Sequence, residues 1–238
     1  ARAANYADIT APVVSTTIAD WDAELFMSGV GGNDGDARDG AGGPIYYSVT
    51  KYNNTTKAYI YITSTAETIV AGEGVELFLG DNLSTFGAQT MDHRGTPYTG
   101  PISITLKPGF NLIANPYSCF INYSSVTKPS GVSNQFYVYV QNNGAYQLFT
   151  GGFIAAHQGF WVNNTSGSDK VITFNESNKF PLAISLISKQ REEKQFALNV
   201  KSLGNEFGNK LVIKPSATAQ NGIDTEDIYY LPSPHKAA

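Results

Sequence analysis

The chain has one cysteine, Cys119, in 238 residues, so no intramolecular disulfide can form and stability has to come from packing and strand pairing. Charge is scarce as well. Asp, Glu, Lys and Arg make up 15% of the residues, against roughly 25% in ordinary soluble domains. The net charge is −4, and the densest basic stretch, Lys189–Lys194, carries its own glutamates, which excludes the clustered Lys/Arg face that a polynucleotide partner needs. No run of about 18 apolar residues occurs, so no membrane-spanning helix is expected. The only histidines are His93, His157 and His235, none of them in HExxH or beside a cysteine pair, which argues against zinc. The Gly-rich loops lack the GK[ST] that holds a nucleotide phosphate, and no GxSxG elbow accompanies Asp92-His93-Arg94. The chain opens ARAANYAD, without Met, and reads as a mature product or an excised piece.

What the sequence does have is β-forming residues and an echo of itself. Hydrophobic residues make up 42% and aromatics 12%, enough to cover a substantial core. Period-2 alternation and β-branched or aromatic runs dominate, and no window of eleven residues carries a helical stripe. The expected fold class is all-β: antiparallel β-sandwich or jelly-roll-like units, internally repeated. In the first copy, ITAPV at Ile9–Val13 leads to an aromatic run around Tyr59, then to Ile69–Leu79 and to GPISITL at Gly100–Leu106. In the second, LIANPY at Leu112–Tyr117 leads to FYVYV at Phe136–Val140, then to Ile154–Val162 and Asp169–Phe174. Pro12 and Pro116 stand 104 positions apart, and Gly74 and Gly159 stand 85 apart. The difference falls largely in the Gly/Asp-rich stretch Gly29–Gly43. Asn53-Asn54 and Asn143-Gly144 separate paired runs and predict two equivalent hairpins. The expected organisation is a first β unit over 1–107, a second over 108–180, and the incomplete start of a third over 181–238, with strands at Phe196–Ser202, Lys210–Pro215 and Ile228–Leu231. Whether the repeats form two separate sandwiches or pair across a pseudo-twofold is open at this level.

Two groups of residues are candidates for binding. Asn33, Asp34, Asp36 and Asp39 place oxygen donors on a glycine-rich loop, as Ca2+ requires, but Arg38 breaks the EF-hand spacing, and a solvated insertion is the plainer reading. Asp224, Glu226 and Asp227 form a second acidic turn of capping character. Tyr46, Tyr59 and Trp161, with Tyr47, Tyr61, Tyr137 and Tyr139 nearby in sequence, can stack on sugar rings if they stand exposed; filling a core is the competing role. Glu73 and Glu76 do not converge as a hydrolytic pair, because an odd separation on a strand points them to opposite faces. Cys119 reads as a small core residue.

The phrases FNLIANPY at Phe110–Tyr117, QGFWV at Gln158–Val162 and AQNGIDTEDIYY at Ala219–Tyr230, preceded by the segment Ile9–Gly29, resemble a family of large exported Bacteroidota proteins. Members of that family carry patterns close to WNLIGNPYPS, IxPGQGFFV and ATxGFDxxYDAYKL. The resemblance spans nearly the whole chain, with Phe110 in place of the family's Trp and Ala156-His157 in place of its Pro. It implies a cell-surface or secreted, adhesin-like protein of the kind exported by the type IX secretion system, with no catalytic residues attached to these motifs. The expected function is therefore a non-enzymatic extracellular structural or adhesive segment, filament- or surface-layer-forming. Its expected partners are neighbouring modules, identical subunits or surface glycans. A carbohydrate-binding module attached to an exported hydrolase is the alternative.

Overall fold

The computed structural model describes residues 6–38, 42–79, 91, 93–140, 144–180, 196–201 and 208–213. Among them the protein is built almost wholly of antiparallel β-strands, with a single five-residue helix, α1 (Ile18–Asp22). No helix of the described residues is long and apolar enough to cross a membrane.

Two four-stranded sheets dominate. The first contains β1 (Tyr6–Ile9), β2 (Val49–Asn53), β3 (Ala58–Tyr61) and β4 (Val75–Phe78), in the order β1-β4-β2-β3. Two further strands, β5 (Ile102–Leu106) and β6 (Gly109–Ala114), lead out of it. The second sheet contains β6, β8 (Gln135–Val140), β9 (Ala145–Thr150) and β11 (Gly159–Asn164), in the order β6-β11-β8-β9. Each sheet thus places its own first, fourth, second and third strands side by side. A three-stranded sheet joins β7 (Phe120–Asn122), β10 (Phe153–Ile154) and β13 (Lys179–Phe180). Two expected strands of the third unit are present as β14 (Phe196–Lys201) and β15 (Gly208–Ile213), paired with each other; Ile228–Leu231 lies outside the described residues. The hairpins β2–β3 and β8–β9 form where the Asn-rich turns predicted them.

One pairing crosses the expected boundary at 107. Strand β5 pairs with β12 (Lys170–Phe174) over its full length, Ile102 opposite Phe174 and Leu106 opposite Lys170. The two corresponding strands of the echo are therefore partners of each other, and Leu106 is fully buried in the same cluster as Phe136, Phe160 and Phe174.

Alternation sorts the side chains into three layers. From the first sheet Val49, Val75 and Leu77 face a cluster that includes Ile18 and Trp21 of α1. From the second, Ile113, Phe136, Val138, Phe160 and Val162 face another. The inner faces meet between the sheets, where Tyr52 and Tyr59 pack with Leu112, Tyr137, Tyr146 and Trp161.

With no disulfide available, the loops are fastened by buried asparagines. Asn115 donates from Nδ2 to the carbonyls of Cys119 (2.7 Å), Ala155 (2.9 Å) and Ile154 (3.3 Å), while its Oδ1 accepts from the Tyr117 N–H (3.0 Å). Tyr117 then donates its hydroxyl to the carbonyls of Gly100 and Phe174. Asn164 ties the end of β11 to the carbonyls of Leu106 and Ser168. Asn178, in a 3₁₀ turn at Glu176–Asn178, reaches Ser125. An unmade buried hydrogen bond costs about 1–3 kcal/mol. Asn115→Ala, which orphans several buried groups at once, is expected to lower the unfolding free energy by about 3 kcal/mol, read from the urea midpoint at unchanged m-value. Tyr117→Phe is expected to cost about half as much.

Candidate functional site

The chemically most unusual place in the protein is the layer between the two sheets. Asp8 on β1 lies directly opposite Glu76 on β4, which in turn lies opposite Thr50 on β2 and, through it, Tyr61 on β3. Cross-strand partners share a face, so this row, flanked by Tyr6, Phe78, Tyr52 and Tyr59, is the inner face of the first sheet. Asp8 is 2% exposed and Glu76 5%. Two carboxyls side by side in an apolar layer repel when both ionise, and each is costly to ionise alone.

The walls are aromatic. Trp161 meets Tyr52 edge to face at 4.7 Å and Tyr59 at 6.4 Å, and Tyr146 packs at right angles to Trp161. The Tyr146 hydroxyl and the Trp161 indole N–H face Asp8 and favour its ionised form, but burial outweighs them and pushes Asp8 up to about 7. Glu76 is raised well above the ordinary carboxylate range, by burial first and by Asp8 second. The Tyr6 and Tyr59 phenols are pushed up by burial as well. Among the described residues, no Lys, Arg or His is one of the groups that act on either carboxyl. The aimed donors stop short of hydrogen-bonding geometry: both Asp8 oxygens, the Tyr59 hydroxyl, the Trp161 Nε1 and the Thr50 hydroxyl are buried without a hydrogen-bond partner among the described residues.

The layer is held closed by reciprocal backbone contacts. Ile9 bridges Gln158, and Ile113 bridges Glu73. The Thr10 N–H donates to the His157 carbonyl (3.0 Å), and the Ala114 N–H donates to the Gly72 carbonyl (2.9 Å). Gly159 sits so close to β1 that a Cβ there would lie 2.7 Å from the Asp8 carbonyl carbon, and a Cβ at Gly74 would lie 2.9 Å from the Ile113 carbonyl oxygen. Gly72 (φ +78°) and His157 (φ +63°) both adopt the left-handed conformation just before these glycines. His157 stacks on His93 at 4.7 Å, and burial, reinforced by His93, lowers it to about 4.

The sequence-predicted residues fall elsewhere or play other parts. Trp161 is 0% exposed, so the exposure a sugar platform needs is absent there, and the Tyr59 hydroxyl is buried beside it. Tyr46 is half-buried, its N–H bonded to the Ala37 carbonyl. Tyr47 and Tyr61 instead stack at 4.3 Å with near-parallel rings, Tyr61 being 41% exposed. In the Gly/Asp-rich loop, Asp34 accepts from the Met27 N–H, Asp36 pairs with Arg38, and the Asn33 N–H donates to Asp22; Asp39 lies outside the described residues. Asp224, Glu226 and Asp227 lie outside them too. Among the described residues no three His, Cys, Asp or Glu side chains form a metal-holding group. Glu73 and Glu76 do diverge, Glu73 pairing with Lys51 at 2.9 Å while Glu76 turns inward. The carboxyl pair that does converge, Asp8 with Glu76, was missed because its members are far apart in sequence. An acid at alternating register within each of two apolar strands was the available signal.

No protein-family model, curated protein or solved structure matches the chain.

The pair and His157 have opposite linkage. Raised carboxyls stabilise the fold in their protonated form, a contribution complete below the ordinary value of 3.8 and lost as pH rises through about 7. His157 stabilises as the neutral imidazole, a contribution complete above 6.5 and lost as pH falls towards about 4. In buffer containing EDTA, Asp8→Asn/Glu76→Gln is expected to raise the unfolding midpoint at pH 8 and, relative to the parent chain, to steepen the loss of stability on acidification from pH 6.5 to 4. His157→Asn, which tolerates positive φ, is expected to flatten it. Midpoints of denaturant unfolding across pH check both signs.

Proposed function

We propose that this chain is a non-enzymatic structural or adhesive segment of a large extracellular bacterial protein, in which two β units of common origin lock face to face into a stiff sandwich-like module. The observation that carries the reading is the correspondence of contacts. Thr10 and Ala114, like Ile9 and Ile113, are 104 positions apart; Gly72 and His157, like Glu73 and Gln158, are 85 apart. Each member of one set bonds the other set's partner. An isologous interface has this form, here within one chain. Such a module resists shear between its halves and leaves its outer strands, β3 and β9, and its loops to make contacts.

The carboxyl pair does not favour catalysis, since at 2% and 5% exposure neither group is open to a polymer substrate. The low charge content and the resemblance of the FNLIANPY and QGFWV phrases to type IX secretion cargo of Bacteroidota support a cell-surface or secreted location. Partners of the same kind, neighbouring modules or identical subunits, fit this reading. A second reading, glycan binding, draws on the parallel Tyr47–Tyr61 stack, of which Tyr61 is exposed and Tyr47 half-buried, and would place the sugar platform away from Trp161.

The two readings separate in one experiment on the purified segment, pairing a glycan array with sedimentation velocity across a concentration series. The expected result is concentration-dependent self-association with no saturable glycan signal. A saturable response to one glycan that Tyr61→Ala abolishes would replace the structural reading with the second.

A further inference from the structure

We propose that the layer between the sheets is a binding site for a hard cation of the Ca2+ class, held by the carboxylates of Asp8 and Glu76 with neutral oxygens from Tyr59 and Thr50. Buried carboxylates are kept where they are paired with a counter-charge or coordinate a metal. Among the described residues, the elements that enclose the pair supply only aromatic and hydroxyl groups: Tyr6 from β1, Thr50 from β2, Tyr59 from β3, Tyr139 from β8, Tyr146 from β9 and Trp161 from β11. None carries a positive charge. A divalent cation cancels the charge of both carboxylates at once, which no neutral neighbour can do.

The donor set is all oxygen, which selects for a hard ion over zinc or copper. Both oxygens of Asp8 and the hydroxyls of Tyr59 and Thr50 are buried without a hydrogen-bond partner among the described residues. Asp8, Glu76 and Thr50 sit on three adjacent strands in direct register, so their spacing is fixed by the sheet. The Trp161 N–H and Tyr146 hydroxyl face Asp8 from the opposite sheet, as outer-shell donors do around a ligating carboxylate. Because the site is closed by the reciprocal contacts at Gly74 and Gly159, the ion enters as the sheets dock and not through a mouth. This site is independent of the adhesive reading and stands or falls without it.

Trp161 and the tyrosines also make the site self-reporting, since they lie close enough to sensitise a bound lanthanide. The whole chain is unfolded and refolded at pH 8 with EDTA, with Ca2+ or with Tb3+. The expected result is a saturable rise of several degrees in the unfolding midpoint with Ca2+, and aromatic-sensitised Tb3+ emission that Ca2+ competes away. Asp8→Asn/Glu76→Gln is expected to lose both signals while still refolding, and the loop variant Asp36→Asn to keep both. The proposal is overturned if the parent chain shows neither signal, if the double variant retains them, or if Asp36→Asn abolishes them and so places the ion in the Gly/Asp-rich loop.

Discussion

The contact on which the architecture rests is the approach of backbone to backbone at Gly74 and Gly159, where only a hydrogen atom fits between one sheet and the strand of the other. A methyl group at either place would displace main chain, not a yielding side chain. Those two positions fix how far apart the sheets lie. They thereby decide that Trp161 reaches Tyr52 and Tyr59 and that Asp8 and Glu76 are sealed from water. The polar character of the layer makes docking specific, because a rotation or slip of one sheet would leave the carboxyls against bare hydrocarbon.

The remaining cohesion is carried by amides and not by sulfur. Asn115, Asn164 and Asn178 each bind backbone groups distant in sequence, so the turns at Cys119, Ser168 and Ser125 are tied to the strands they adjoin. Cys119, half-buried, joins this network through its carbonyl, which accepts from Asn115.

How far this could be read beforehand depends on the range of the interaction. Alternation at Tyr59–Thr63 and Phe136–Val140, together with the Asn-rich turns, gave strands and hairpins correctly because those signals are local. The all-β class followed. The face on which Trp161 would be buried did not follow, since QGFWV is apolar on both faces and either could have met solvent. The Asp8–Glu76 encounter depends on pairing between strands more than sixty residues apart, and register of that kind has no marker in a single sequence. The loop carboxylates are ligand-like by composition alone, and the partners that Asp34 and Asp36 take in the structure, the Met27 N–H and Arg38, have no marker in the sequence.

The pairing of β5 with β12 bears on time as well as shape. A strand at Ile102–Leu106 whose partner begins at Lys170 stays unmatched until some seventy further residues are in place, and loop closure over that span is slow. A chain emerging from its N-terminus therefore passes through a state in which the first sheet is complete but β5, which follows it, is still unpaired. An unpaired strand of this kind is open to pairing with a stranger, and the final zipping of β5 to β12 withdraws that edge.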